Sequence, residues 1–227
     1  MKSSNLQIQS TSDGSATLFH PELNETYHSL HGALSESYHV YIQNGLNLRK
    51  NDQIQSLNLL EIGLGTGLNL LLTLLNRPNG LNINYTSIEP FPLSQSVIQA
   101  YYADFTQPIA NAELMTKISE LPAFEWHELE RDFNFRWLKS KIQDLSLKDL
   151  QADYDLVYFD AFAPSRQPEM WTSDVLELIY ASMRSNGILT TYCAQGQFKR
   201  NLKLTGFDTQ HPKGANGKRE MTIAIKP

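Results

Sequence analysis

The sequence holds a single cysteine, Cys193, among 227 residues. That excludes an internal disulfide and any multi-cysteine zinc site, and it fits a reducing cytoplasm. No run approaches the roughly 20 apolar residues that a membrane helix needs. The densest, Leu68 to Leu75, is broken by Asn69 and Thr73. The opening residues Met1-Lys2-Ser3-Ser4-Asn5 lack the apolar centre of a secretion signal. Internal repeats and low-complexity tracts are missing too. So is an excess of positive charge: 24 acids face 19 bases, a net −5, which argues against nucleic-acid binding by bulk charge. What is present, 41% hydrophobic residues with 10% aromatics, suffices to bury a core and excludes wholesale disorder.

The charge is unevenly spread. From Gln195 to Pro227, seven bases (Lys199, Arg200, Lys203, Lys213, Lys218, Arg219 and Lys226) meet two acids, Asp208 and Glu220. That tail is +5, and the chain before it is −10.

The first fifty residues are polar, with a helix predicted from Leu34 to about Gln43, capped by Ser35. After Lys50 to Ser56, the run Leu57–Ile62 is short, apolar and bounded by Gly63, as a buried strand is. A leucine-dense helix, Leu68–Leu75, follows the glycines. The alternation continues with strand Ile83–Ile88, helix Leu93–Phe105, and strands Phe133–Leu138 and Tyr154–Phe159. Helix Ser173–Met183, strand Gly187–Tyr192 and the basic helix Gln197–Leu204 come next. Phe207–Gln210 and Met221–Ile225 read as a terminal antiparallel hairpin. The expected fold class is α/β, a mainly parallel doubly wound sheet of Rossmann-like type with an N-terminal extension.

The turn Glu61-Ile62-Gly63-Leu64-Gly65-Thr66-Gly67 sits between a predicted strand and a predicted helix. A phosphate loop would continue Gly-Lys-Ser/Thr, but Leu68 and Asn69 follow Gly67. A dinucleotide turn reads G-x-G-x-x-G; this one is G-x-G-x-G with a carboxylate, Glu61, two residues ahead. An acid there repels a pyrophosphate and suits a cation. S-adenosylmethionine, a sulfonium with no phosphate, matches that turn. Glu89, at the end of the next strand and followed by Pro90, is placed to accept the ribose hydroxyls.

Asp160 ends the strand Tyr154–Phe159 on the same sheet edge and opens Asp160-Ala161-Phe162-Ala163-Pro164. Methyl transfer mainly requires a nucleophile to be positioned against the sulfonium. If that nucleophile is an amine, a carboxylate that takes its proton or orients it is useful, and Asp160 is the candidate.

These residues resemble the methyltransferase domain of the bacterial MnmC family. Four blocks carry the likeness. The first is Asp13-Gly14-Ser15-Ala16-Thr17-Leu18 with Glu25-Thr26-Tyr27-His28-Ser29 and His31 to Ser37. The second is Glu61 to Asn69, and the third Glu89-Pro90-Phe91-Pro92-Leu93. The fourth is Asp160 to Pro164 with Gln167-Pro168-Glu169-Met170-Trp171-Thr172. Gly217-Lys218-Arg219-Glu220-Met221 closes the match. The resemblance implies a class I S-adenosylmethionine-dependent enzyme that methylates the aminomethyl group of a modified wobble uridine in the tRNA anticodon region.

It further implies a cofactor set of Glu61, Gly63, Gly65, Thr66, Gly67, Asn69, Glu89, Pro90 and Asp160. Tyr27 and Glu36 would act as a lid, making residues 1–50 an extension and lid on a methyltransferase domain at 51–227. Where the family commonly has Gly-Asp facing adenine, the aligned place reads Ser140-Lys141, leaving backbone or Asp144 for that contact. Family members often carry an FAD-dependent oxidase domain; the chain ends at Pro227, so a separate oxidase is expected upstream, or another route to the aminomethyl substrate.

For the tRNA, Lys199, Arg200, Lys203, Lys213, Lys218 and Arg219 are the expected phosphate contacts, Phe162, Trp171 and Tyr192 the aromatics expected to stack on bases, and Pro164 is placed with them at the substrate. No metal is expected: His28, His31 and His39 match no zinc spacing, and Cys193 is read as a bystander thiol. Two other readings stay open, a small-molecule amine methyltransferase of the same fold and a non-catalytic RNA-binding module.

Overall fold

The computed structural model describes residues 5–49, 54–103, 105, 111–151 and 153–227. The expected boundary between residues 50 and 51 lies outside them, as do Met1 to Ser4 and Asp104.

An eight-stranded sheet runs in the order β10-β11-β9-β8-β4-β5-β7-β6. Its members are β4 (Ser56–Ile62), β5 (Asn82–Ile88), β6 (Trp126–Glu130), β7 (Phe133–Leu138), β8 (Tyr154–Phe159), β9 (Met183–Thr191), β10 (Asp208–Gln210) and β11 (Thr222–Ile225). β4 pairs in parallel with β5 and β8, as do β5 with β7 and β8 with β9. β11 inserts antiparallel between β9 and β10, so the expected hairpin is present and reverses one sheet edge. β6 is antiparallel at the other edge.

The central strands are buried on both faces, as parallel strands covered by helices must be. Along β8 the side chains alternate: Leu156 and Tyr158 enter one core, Val157 and Phe159 the other. The first core holds helices α3 (Leu68–Asn76), α4 (Gln95–Ala103) and α5 (Ala112–Glu120) against Tyr85, Phe133 and Phe135. The second lies under α6 (Leu147–Leu150), α7 (Ser173–Ser182) and α8 (Gly196–Thr205).

The N-terminal segment joins the first core. A small sheet of β1 (Gln7–Ser10), β2 (Ala16–His20) and β3 (Glu25–Thr26) contributes Ala16 and Leu18. A helix then starts as α1 (Ala33–Ser37), widens to a π-helix over Tyr38–Leu46 and closes as α2 (Asn47–Arg49). The wide turns let the Val40 carbonyl accept a 2.8 Å hydrogen bond from the Thr190 hydroxyl, tying the helix to β9. Ser35 does not cap this helix. Its own N–H donates to Asp13 Oδ2 at 2.8 Å and that of Leu34 to Ser15 Oγ at 3.2 Å, so a preceding loop supplies the cap from a distance.

Candidate active site

The C-terminal ends of β4, β5, β8 and β9 open onto a cavity of about 690 Å³, at the place where open α/β sheets hold ligands. Gly63 lets the turn after β4 pass close to β8, since a Cβ there would lie 2.5 Å from the Asp160 carbonyl oxygen. Gly65, at φ +51°, sits under the Tyr27 ring, and an added Cβ would meet that ring at 3.1 Å.

Glu89 follows β5. It accepts the Gly65 N–H at 3.2 Å on Oε2 and the Phe91 N–H at 2.8 Å on Oε1. A turn amide that would cradle a phosphate is thereby filled by the protein's own carboxylate. Burial pushes Glu89 up to about 7, against the pull of those two amides. Around the cavity stand Glu25, Glu36, Glu89, Asp144, Asp160 and Glu169, against Lys141 and Lys218. Such a wall suits a cation and disfavours a diphosphate. Phe91, Leu93 and Ile142 add apolar surface for a flat ring.

Asp160 follows β8 at the cavity wall. Asn69 Nδ2 donates to its Oδ2 at 2.8 Å and to Glu61 Oε1 at 3.1 Å, while Ser87 Oγ donates to Glu61 Oε2 at 3.0 Å. The Asn69 amide is thus oriented by two acidic side chains, donating to an oxygen of each. Burial, then the Asp160 charge, pushes Glu61 up to about 8. Burial also raises Asp160, to about 6, while hydrogen bonds from Tyr41 and Asn69 pull it down. Near neutral pH, Asp160 is the carboxylate and Glu61 the carboxylic acid, two acids separated by their surroundings.

Across from Asp160, Lys218 Nζ pairs with Glu36 Oε1 and lies 5.4 Å from the Tyr192 ring centroid. Glu36 Oε2 takes the Ser29 N–H at 3.1 Å, and Tyr192 donates its hydroxyl to the Ala161 carbonyl at 2.8 Å. Tyr27 and Phe162 meet edge to face at 4.9 Å.

Of the residues singled out in the sequence, Tyr27, Glu36, Gly63, Gly65, Glu89, Pro90, Asp160, Phe162 and Lys218 line this cavity. Glu61, Thr66 and Asn69 are buried behind it, and Gly67 packs on Met115. Pro164 lies outside the lining.

Trp171 corrects an expectation. It is 5% exposed, packs on Phe159 and Phe198, and spends its indole N–H on the Phe162 carbonyl, so no ring face is open to a base. Lys218 pairs with Glu36 at the cavity wall and is 42% exposed, and Lys199 pairs with Glu220. Arg200 and Arg219 are exposed.

Sequence reasoning missed Tyr41 in the cavity wall, and the Glu36–Lys218 pair. The Gly-Lys-Arg-Glu-Met motif was the available signal, but counting its charge hid which of its members turn inward.

Among the described residues no three His, Cys, Asp or Glu side chains gather as metal ligands. His39 Nε2 bonds the Lys213 carbonyl oxygen at 2.9 Å, and burial holds His28 down to about 4. Cys193 is buried, which pushes its thiol up.

A reversed C-terminal strand beside a parallel sheet, with an acidic crevice at the strand ends, defines a Rossmann-like methyltransferase. A family profile described as S-adenosyl-L-methionine-dependent methyltransferase matches residues 100–227, and the chain belongs to that family. It uses S-adenosylmethionine as its methyl donor.

The chain is 32% identical over 215 residues to the tRNA 5-methylaminomethyl-2-thiouridine biosynthesis bifunctional protein MnmC of Cupriavidus necator, covering 91% of this chain and 32% of that one. The protein of the same name from Idiomarina loihiensis is 31% identical over 212 residues, covering 87% and 35%. The crystal structure of MNMC2 from Aquifex aeolicus superposes with a TM-score of 0.78 at 25% identity, covering 99% of this chain and 73% of that one. The chain spans about a third of the length of the curated relatives it matches.

Proposed function

We propose that the protein methylates the aminomethyl nitrogen of 5-aminomethyl-2-thiouridine at the wobble position of tRNA, giving 5-methylaminomethyl-2-thiouridine. The observation that carries this reading is the likeness along nine-tenths of the chain to proteins named for that biosynthesis. The cavity supports it, because its reacting wall offers a carboxylate, Asp160, and a methyl acceptor that is an amine needs one.

The donor supplies an electrophilic methyl group on a sulfonium. Glu89 accepts its ribose hydroxyls, with Pro90, Gly63 and Gly65 shaping that wall. Phe91, Leu93 and Ile142 flank the adenine, and Asp144, which lines the same cavity, is the acid available to it. Glu61 and Asn69 act from behind, holding Asp160 in place. Thr66 and Gly67 shape the start of α3. Residues 1–50 form the extension, with Tyr27 and Glu36 closing the site as a lid.

Asp160 orients the amine and takes its proton. Tyr27 and Phe162 flank the entering nucleoside. Arg200 and Arg219, with exposed Lys203 and Lys213, contact backbone phosphates of the anticodon arm. An FAD-dependent oxidase acting upstream would supply the aminomethyl substrate. The place of work is the cytoplasm; among the described residues no helix is long and apolar enough to cross a membrane.

The test is incubation with methyl-labelled donor and aminomethylated tRNA, then digestion to nucleosides. Label is expected in 5-methylaminomethyl-2-thiouridine. Label confined to free small-molecule amines, or RNA binding with neither donor binding nor methylation, would overturn the reading.

A further inference from the structure

Lys218 lies in the loop between β10 and β11, where its side chain packs beside Gly214; a Cβ on that glycine would come within 2.8 Å of it. The ammonium reaches Glu36, on a helix 182 positions away in sequence, under the Tyr192 ring. Of the next two residues, the Arg219 side chain is 94% exposed and Glu220 pairs with Lys199. Of the motif's two bases, Lys218 is the one whose side chain, 42% exposed, lines the acidic cavity. Its partner Glu36 is 11% exposed, so Lys218 offsets a carboxylate that is largely withdrawn from water.

Asp160 feels both partners, Glu36 acting to raise it and Lys218 to lower it. The other groups facing this space are Tyr41 from the π-helical segment, Tyr192 after β9, and Glu25 from β3, which lies 3.8 Å from Arg166. Glu61 stands behind Asp160, and His28 is neutral near pH 7.

We propose that Lys218 cancels the charge of Glu36, so that an amine brought against this wall meets the carboxylate of Asp160 without that of Glu36 beside it, and is held in its neutral, reactive form. This role rests on the amine-methylation reading above. An alkyl ammonium has no lone pair, and two bare carboxylates would hold it in that form. With Glu36 neutralised, an N–H bond of the ammonium breaks, the electron pair stays on nitrogen, and the proton passes to Asp160 and on to solvent. Lys218 acts through the electrostatics of the site and forms no bond to the substrate.

The test needs no methyl donor. An anticodon stem-loop RNA carrying 5-aminomethyl-2-thiouridine is titrated into the intact protein at pH 7, by calorimetry in buffers of different ionisation enthalpy. The wild type is expected to release about one proton per RNA bound, and none with the same RNA carrying unmodified uridine. K218M should bind the aminomethyl RNA about tenfold more tightly, one pKa unit's worth, and release far fewer protons. In steady state it should lower KM and kcat together, with kcat recovering as pH rises. K218R should match the wild type, and the double variant E36Q/K218M should restore proton release, which keeps the test readable should K218M fold poorly.

A wild type that releases no proton would overturn the proposal. So would equal release from both RNAs, or a K218M protein that binds more weakly with unchanged release. Failure of the RNA to bind the wild type would sink the tRNA reading instead; the free 5-aminomethyluridine nucleoside then replaces it, and the same outcomes decide.

Discussion

On one wall of the cavity, Gly65 and Glu89 stand 24 positions apart in sequence and touch through a backbone amide. On the other, Glu36 and Lys218 are 182 positions apart and meet beside Asp160 and Tyr192, which arrive on two further strands. The first wall is built from adjacent strand ends and main-chain donors, so it exists as soon as β4 and β5 pair. The second exists only once the N-terminal helix, β8, β9 and the last loop have all docked. The wall proposed for the donor is therefore a local property of the fold, and the wall proposed for the acceptor a property of its closure.

The largest expected effect would break this division at its sharpest point. Asp160→Ala should lower turnover about 10²- to 10⁴-fold, the usual span for a lost proton acceptor, while donor affinity stays within about tenfold. Single-turnover methylation and donor calorimetry on the same preparation check both halves. Unchanged turnover would remove Asp160 from the chemistry. The converse change, Glu89→Ala, should weaken donor binding about 10- to 100-fold, as expected for a charged hydrogen-bonding group, and leave tRNA affinity nearly unaltered. Equal loss of both ligands would mean that the two walls are one cooperative unit.

A third, smaller effect lies outside the cavity. Reversing Arg200 and Arg219 to Glu should weaken tRNA binding about tenfold and flatten the dependence of affinity on salt, with donor binding untouched. If neither affinity nor slope moves, the RNA surface lies elsewhere.

The same division decides how much was legible in the sequence. β8 is legible because Tyr154–Phe159 is apolar throughout and bounded by polar residues, and Asp160 follows from its place at that strand's end. Glu89 is legible for the same reason at the end of β5. β6 is not: Trp126-His127-Glu128-Leu129-Glu130 alternates between exposed and half-buried positions, so its apolar content is too low to announce a strand. The π-helical widening after Ser37 leaves no mark either, since apolar residues fall on the core side at both helical spacings. Trp171 reads as a ligand contact from its motif, yet its neighbours Phe159 and Phe198, remote in sequence, claim both the ring and its environment. Lys218 is the opposite case, a charge in the basic tail by composition whose partner, Glu36, comes from the far end of the chain.

The smallest expected effect concerns what joins the walls. Glu61 is fully buried beneath both and is raised to about 8 by burial and by the Asp160 charge. An acid raised on folding binds its proton more tightly in the native state, so its stabilising contribution is complete below the unfolded value. That contribution is lost as pH climbs through the folded value. Between about pH 5 and 8.5 the ligand-free protein should therefore become less stable as Glu61 is forced to ionise. Glu61→Gln keeps an acceptor for Asn69 and removes the titration. Its melting temperature should fall less than that of the wild type over this range, by about 2–4 °C for each kcal/mol of linked stability. Thermal melts of both proteins at pH 5.5 and 8.5 measure the gap. Parallel curves would mean that Glu61 carries its charge throughout this range, and that burial does not raise it as described.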